Sequence, residues 1–420
     1  MRSSLFIIFT GHKFFCRTVF YILNGKMPGS LQLIKIKMAI RKSIEEINEK
    51  IRSGKAVVLT AEEVSEMGRK MAASEIAKKV DVVTTATFGP MCSSGAFINF
   101  GHTTPPMRME HITLNNVPAY GGIAAVDAYI GATETAMPHD QYGGAHVIEE
   151  LIAGKDVLLQ ATGKGTDCYP RTEIKTLINK NSINEFIMFN PRNAYQNYNV
   201  AVNSTSKIKF TYMGTLLPYF GNANFSTSGE LSPLLNDPEL RTIGIGTRIF
   251  LGGTTGYVAW NGTQFNTGKP LNEHGIPVGN AATLALIGDA KKMDTRFIKA
   301  AYFEKYGVSI FIGIGIPIPV IDEEMAARVA IRNSQIETNI LDYGSGNFEI
   351  LGRVDYKTLF SGEMTLNGKK IRTASLSSLK VARDIALILK KDISEARFFL
   401  TEPVALFPKT TGLNKLEIKI

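Results

Sequence analysis

Residues 156–180 read DVLLQATGKGTDCYPRTEIKTLINK. The run DVLLQA (156–161) is short and mostly apolar, which predicts a strand. TGKGTDCYP breaks it with two glycines and a proline and predicts a loop. RTEIKTLINK (171–180) has apolar residues at helical spacing and predicts a helix. Upstream, HVIEELIAG (146–154) predicts a helix stopped by glycine. The unit is therefore helix, strand, cysteine loop, helix.

The same layout precedes a second cysteine. SIEEINEKIRSG places Ile44, Ile47 and Ile51 on one helical face, with Gly54 as the stop. AVVL (56–59) predicts a buried strand, and Thr60-Ala61-Glu62-Glu63 is a capping box opening a helix to about Lys79. VDVVTTATF (80–88) is β-branched and strand-like, and it runs into the turn GPMCSSG that carries Cys92. That turn, too, offers a helix N-terminus. Such loops lie at the carboxyl ends of strands, where open α/β sheets bind ligands.

Farther along, residues 195–290 are rich in Asn, Thr and Gly, and Trp260-Asn261-Gly262 reads as a hairpin turn. MDTRFIKAAYFEKYG (293–307) predicts a helix, VSIFIGIGIPIPV (308–320) a buried strand ended by prolines, and DEEMAARVAIRN (322–333) a helix. Asn367-Gly368 marks a late hairpin, and SSLKVARDIALILKK (377–391) a capped amphipathic helix. The fold class expected is α/β or α+β, with mixed sheets, flanking helices and long Gly-rich functional loops. One intertwined domain is expected, with no repeats.

The formal net charge is +9, but Arg2, Lys13, Arg17, Lys26, Lys35 and Lys37 supply six of those charges with no acid among residues 1–37. The body is near neutral and has no basic run interleaved with aromatics, so nucleic acid is rejected as a partner. SLFIIF (4–9) is too short to span a membrane. Residues 1–37 are read as an upstream extension, with Met38 as the natural start; a membrane-touching amphipathic arm is the alternative. A cytoplasmic location follows from that start and from the thiols. Cys16, Cys92 and Cys168 are too few for a disulfide framework and have no zinc spacing.

A free cysteine is usually a small buried hydrophobe. Four features move Cys168 toward reactivity. It lies in a loop; Lys164 and Arg171 flank it; a predicted helix N-terminus follows it; and Gly163 and Gly165 let backbone N–H groups approach a ligand. Asp167 opposes this. Cys92 has no flanking base, and either packs or serves as a relay or resolving thiol. His102, His111, His139, His146 and His274 are read as loop or surface residues from which a proton donor could come. Arg108, Arg171, Arg192 and Arg248 are candidates for clamping a substrate carboxylate. GIGTRIFLGGTTG and GIGIPIP match no dinucleotide or P-loop motif, and dinucleotide binding is rejected.

Four long stretches carry a resemblance: TFGPMCSSGAFINFGHTTPP (87–106), NNVPAYGGIAAVDAYIGATE (115–134), YGGAHVIEELIAGKDVLLQATGKGTDCYPR (142–171) and GIGTRIFLGGTTGYVAWNGTQ (244–264). They resemble the homocysteine biosynthesis protein family, the L-aspartate semialdehyde sulfurtransferases of methanogenic archaea and anaerobic bacteria. The likeness runs roughly from Ala39 to Pro408. It implies a sulfurtransferase domain at 38–408 and a tail at 409–420, without the CBS-type domains that some members carry. It implies that sulfide is condensed with L-aspartate semialdehyde and reduced to homocysteine, a step toward methionine. Cys168 falls on the family's nucleophile, which carries sulfur as a persulfide, and Cys92 on its second cysteine. The resemblance implies no cofactor on this chain; electrons come from a ferredoxin-like iron–sulfur partner protein.

The residues allow this chemistry. A persulfide carrier must be a thiolate, which Lys164 and Arg171 favour. Substrate contacts are expected from Arg171, Lys164, His102 and Arg192, with no metal. Self-association as a homo-oligomer is left open. Two other readings remain: a cysteine acyl or thioester enzyme, and a non-catalytic carrier subunit that presents persulfide to the iron–sulfur partner.

Overall fold

The computed structural model describes residues 40–420 except 138, 194, 195, 410, 411, 415, 419 and 420. The expectations for residues 1–37, including Cys16, lie outside the described residues. Two sheets, of 14 and 6 strands, with a two-stranded ribbon and flanking helices make a mixed α/β fold, as the sequence predicts.

The longest strand, Gly307–Pro319, is central because almost every residue on it is apolar and buried. It pairs antiparallel with Val82–Pro90 over nine positions, from Phe311 opposite Pro90 to Pro319 opposite Val82. As expected, the strand ends at a proline, Pro319, with Pro317 inside it. Pro317 and Pro319 lie past the Arg248–Leu251 strand, whose pairing stops at Gly315 and Ile314. No ladder donor is needed on that side. Helix Leu379–Ser394 covers this pair, burying Ala382, Ile385, Ala386, Leu389 and Ile393. Asn48, on helix Ile44–Arg52, ties the two ends of the described chain. Its side-chain amide donates to the Leu400 carbonyl at 3.0 Å, and the Leu400 N–H donates back at 3.0 Å.

The Thr60 capping box forms as predicted, with Glu63. Its helix is shorter than expected: Ala61–Met67 ends at Gly68, and Ala73–Lys79 starts anew. A side chain at 68 would meet the Ala330 Cβ at 2.8 Å. The Asn367-Gly368 hairpin joins Glu363–Leu366 to Lys369–Ser375.

Other expectations fail. Residues 171–180 hold the strand Glu173–Ile178, antiparallel to Val157–Thr162, and not a helix. Residues 293–307 hold the strand Ile298–Phe303, hairpinned to Gly307–Pro319. In both, long-range pairing overrides a local pattern that also fits a helix. Trp260-Asn261-Gly262 does not turn the chain tightly: Thr254–Asn261 pairs with Leu284–Asp289 only after a long excursion. Among the described residues no helix is long and apolar enough to cross a membrane.

The strand Gly95–Asn99 lies between Glu185–Asn193 and Asp127–Gly131, antiparallel to both. It follows the Cys92 turn directly, so that turn opens a strand and not a helix. The smaller sheet has its own core around Val200, Phe225, Ile340 and Tyr356. The chain crosses to it after Asn193. There the Asn197 amide donates to the carbonyls of Pro277 (2.7 Å) and Glu337 (2.9 Å), and accepts from the Tyr198 N–H and the Tyr356 hydroxyl. This fixes Tyr198 at the junction of the sheets.

Candidate functional site

A cavity of about 350 Å³ opens at that junction. Cys92 and Arg192 line it. The Val82–Pro90 ladder is prolonged by one bond, Met91 N–H to the Ile310 carbonyl at 2.7 Å. That bond sets Cys92 against the buried Ser309, with Sγ 3.3 Å from Oγ. The Ser93 hydroxyl donates to the Arg192 carbonyl at 3.0 Å, so the cysteine turn and the end of Glu185–Asn193 are tied together.

The rest of the lining is uncharged, partly polar and partly apolar, the apolar part coming from Pro90, Met91, Met213, Pro233 and Leu234. Tyr198, Tyr212 and Tyr306 contribute rings and hydroxyls, Asn280 and Gln264 amides, and Thr87, Ser226, Thr227 and Ser377 hydroxyls. Tyr212 holds the ring group together, 6.1 Å from Tyr306 and 6.4 Å from Tyr198, edge-on to both, with its hydroxyl 2.8 Å from that of Tyr343. No carboxylate lines the cavity, and Arg192 pairs with none among the described residues. Such a guanidinium in a small uncharged cavity is a receptor for an anionic group.

Burial, together with Cys92 and Tyr212 beside it, pushes the Tyr306 hydroxyl far above an ordinary phenol. Tyr306 is therefore protonated at neutral pH and can donate. Sequence reasoning missed Tyr306 and Ser309 because the first fell in a predicted helix and the second in an apolar run.

Cys168 is elsewhere. It is exposed, in the turn joining Val157–Thr162 to Glu173–Ile178. Tyr169 stacks on His102 with centroids 6.1 Å apart. Arg171 donates to the carbonyls of Thr104 (2.9 Å) and Pro105 (3.2 Å). Lys164 is exposed on the same turn. Cys168, Lys164, Arg171 and His102 are thus grouped, and Cys92 and Arg192 form a second group.

Gly163 has a different purpose from the one expected. The Gly163 N–H is bonded to the Thr172 carbonyl at 2.8 Å, so it is not offered to a ligand. A Cβ there would lie 2.1 Å from the Arg108 carbonyl oxygen, so glycine allows the turn to sit on the 102–108 segment. Gly165 has φ +74, a turn conformation that favours glycine. No helix follows Cys168, so no helix terminus adds a field there.

The two groups lie at opposite ends of Gly95–Asn99. Cys92 precedes that strand; His102, against which Tyr169 stacks, follows it. Five strand residues span roughly 13–16 Å, beyond direct reach of two thiols in one chain.

Two other sequence candidates, His146 and Arg248, have structural roles. His146 Nδ1 accepts the Gly143 N–H at 3.1 Å and its ring stacks on Tyr142, and burial draws its ionisation below the ordinary histidine range. Arg248 lies on a strand, over the Phe398 ring at 5.8 Å.

The family model described as "Homocysteine biosynthesis enzyme, sulfur-incorporation" matches residues 56–400. A protein of Methanocaldococcus jannaschii named L-aspartate semialdehyde sulfurtransferase is 50% identical, over 87% of this chain and 73% of the relative. One of the same name from Methanosarcina acetivorans is 48% identical, over 87% of this chain and 72% of the relative. A more distant Methanothermobacter thermautotrophicus protein, named only as uncharacterized, is 28% identical over 76% of this chain and 72% of the relative. No solved structure matches the chain. On the match across 56–400 and these identities, the chain belongs to the homocysteine biosynthesis family of sulfur-incorporating enzymes, the sulfurtransferases.

Proposed function

We propose that this chain is an L-aspartate semialdehyde sulfurtransferase, acting on the substrate that names its two similar relatives. The observation that carries the reading to a site is the cavity: a thiol and a guanidinium that pairs with no carboxylate among the described residues, in an uncharged lining that encloses about 350 Å³. That volume suits a small amino acid, and Arg192 would take its carboxylate.

Cys168 is the sulfur carrier in this reading. Its exposed turn is open to a macromolecular donor, and Lys164 and Arg171 supply positive charge beside it. Aldehyde and sulfide lose water to give a thioaldehyde, and two electrons with two protons take that to the thiol of homocysteine. Sulfur held on Cys168 at the sulfane level needs two electrons more to leave the cysteine. A separate iron–sulfur protein supplies them. Because the carrier turn and the cavity lie at opposite ends of one strand, transfer passes between two copies of the chain.

Intact mass after anaerobic exposure to a sulfane-sulfur donor tests the carrier. One dithiothreitol-removable sulfur is expected on the wild type and on Cys92→Ala, and none on Cys168→Ala. Retention of the sulfur by Cys168→Ala would remove Cys168 from the mechanism. The exposure of Cys168 also fits a subunit that only presents persulfide. Thermal stabilisation by L-aspartate semialdehyde separates the two readings, because a mere carrier gains none.

A further inference from the structure

We infer that Cys92 is the nucleophile of the cavity, capturing the aldehyde as a thiohemiacetal, and that Tyr306 is the catalytic proton donor to the oxygen that forms. This rests on the cavity being the aldehyde site. Three observations support these roles. The sheet ladder sets Cys92 beside Ser309 at 3.3 Å. Tyr306, on the turn between Ile298–Phe303 and Gly307–Pro319, stands close enough to Cys92 for the thiol to raise its hydroxyl pKa. Both side chains line the same cavity as Arg192.

The chemistry balances without any redox partner. The sulfur–carbon bond forms as the carbonyl π bond breaks. Tyr306 gives its proton to the developing alkoxide and regains one from the thiol, so the S–H proton ends on the substrate oxygen. Ser309 takes the remaining hydrogen-bond position on sulfur and holds it facing the cavity. Tyr306 suits this part because its phenol stays protonated at neutral pH, and a fixed neutral donor stabilises an oxyanion. Its ring is held at 6.1 Å from Tyr212 and 6.3 Å from Phe303, so the hydroxyl is aimed before substrate arrives. Arg192, bound to the carboxylate, would fix the distance of the aldehyde carbon from the sulfur.

The test is carbon-13 NMR of L-aspartate semialdehyde labelled at the aldehyde carbon, with stoichiometric full-length protein. A protein-bound resonance of a tetrahedral carbon is expected with the wild type and with Cys168→Ala, and none with Cys92→Ala. In Tyr306→Phe, which keeps the ring and its packing, the adduct is expected to fall about tenfold, the loss of one good hydrogen bond. Homoserine, with an alcohol in place of the aldehyde, serves as a binding control by thermal shift and should stabilise all of these proteins alike. Homoserine binding without an adduct in the wild type would overturn the capture step and leave the site standing. An adduct that survives in Cys92→Ala, or is undiminished in Tyr306→Phe, would overturn the role given to that residue. Absence of binding by either ligand would overturn the site itself.

Discussion

Among the described residues, Arg192 is the one ionised side chain lining a cavity otherwise built of hydroxyls, amides, rings, a thiol and the apolar Met91, Met213, Pro233 and Leu234. An anion seated there gains a charge-assisted bond that no neighbouring carboxylate competes for. Arg192→Met should therefore raise KM for the semialdehyde by roughly 10–100-fold, the value of one charged hydrogen bond of about 1.5–3 kcal/mol. Its melting temperature should be unchanged, since Ser93 is bonded to the backbone carbonyl at 192 and not to the guanidinium. At this scale the sequence was partly legible. Cys92, Cys168, Arg192, Arg171, Lys164 and His102 were all singled out from residue type and loop context. Their division into two groups was not readable, because it depends on strand pairings that join residues 87 to 377 around one cavity.

The elements were legible where local pattern and tertiary pairing agree. Val82–Pro90, Gly307–Pro319 and Leu379–Ser394 are such cases. The segment 171–180 is the opposite case. Ile174, Leu177 and Ile178 suit a helical face, while Glu173, Lys175 and Leu177 lie exposed on an edge strand. Only pairing with Val157–Thr162 decides, and a window of ten residues does not contain it.

Helix Glu323–Val329 illustrates a local device that carries a pH dependence. Asp322 caps it, accepting the Met325 N–H at 2.8 Å, and also receives both terminal nitrogens of Arg241. The Arg241 hydrogen bonds, outweighing burial, hold the Asp322 carboxyl below the ordinary carboxylate range, and Arg241 is raised correspondingly. A depressed folded pKa contributes stability above the unfolded value and loses it as pH falls through the folded one. Asp322→Ala should cost about 1–2 kcal/mol at pH 7, for the lost cap and pair. The difference from wild type should shrink below about pH 4. Melting curves of the two proteins from pH 7 to pH 3 check this; a constant difference would mean that the carboxylate charge contributes nothing.

At the scale of the molecule, the large sheet separates the two thiols. Disulfide formation requires Cα atoms within about 7 Å, and one strand with its flanking turns lies between Cys92 and Cys168. Mild oxidation should therefore give no Cys92–Cys168 bond within a single chain. If sulfur passes between copies, that bond should appear as a cross-linked dimer on a non-reducing gel, absent from either Cys→Ala variant. An intrachain disulfide found by peptide mapping would show that the Cys168 turn swings across the sheet.

The pairing of Asn48 with Leu400 bears on the way the chain acquires its shape. Helix Leu379–Ser394 lies over strands formed from residues 82–90 and 307–319, so the earliest segments wait for the latest before their apolar faces are covered. At a synthesis rate of roughly 5–20 residues per second, about 20–70 s separate emergence of the two halves of the Asn48 clasp. For most of that interval the strand Val82–Pro90 has neither its antiparallel neighbour nor its helix. The nascent chain thus carries an uncovered apolar edge for most of its translation, and its demand on chaperones is set by connectivity more than by final stability.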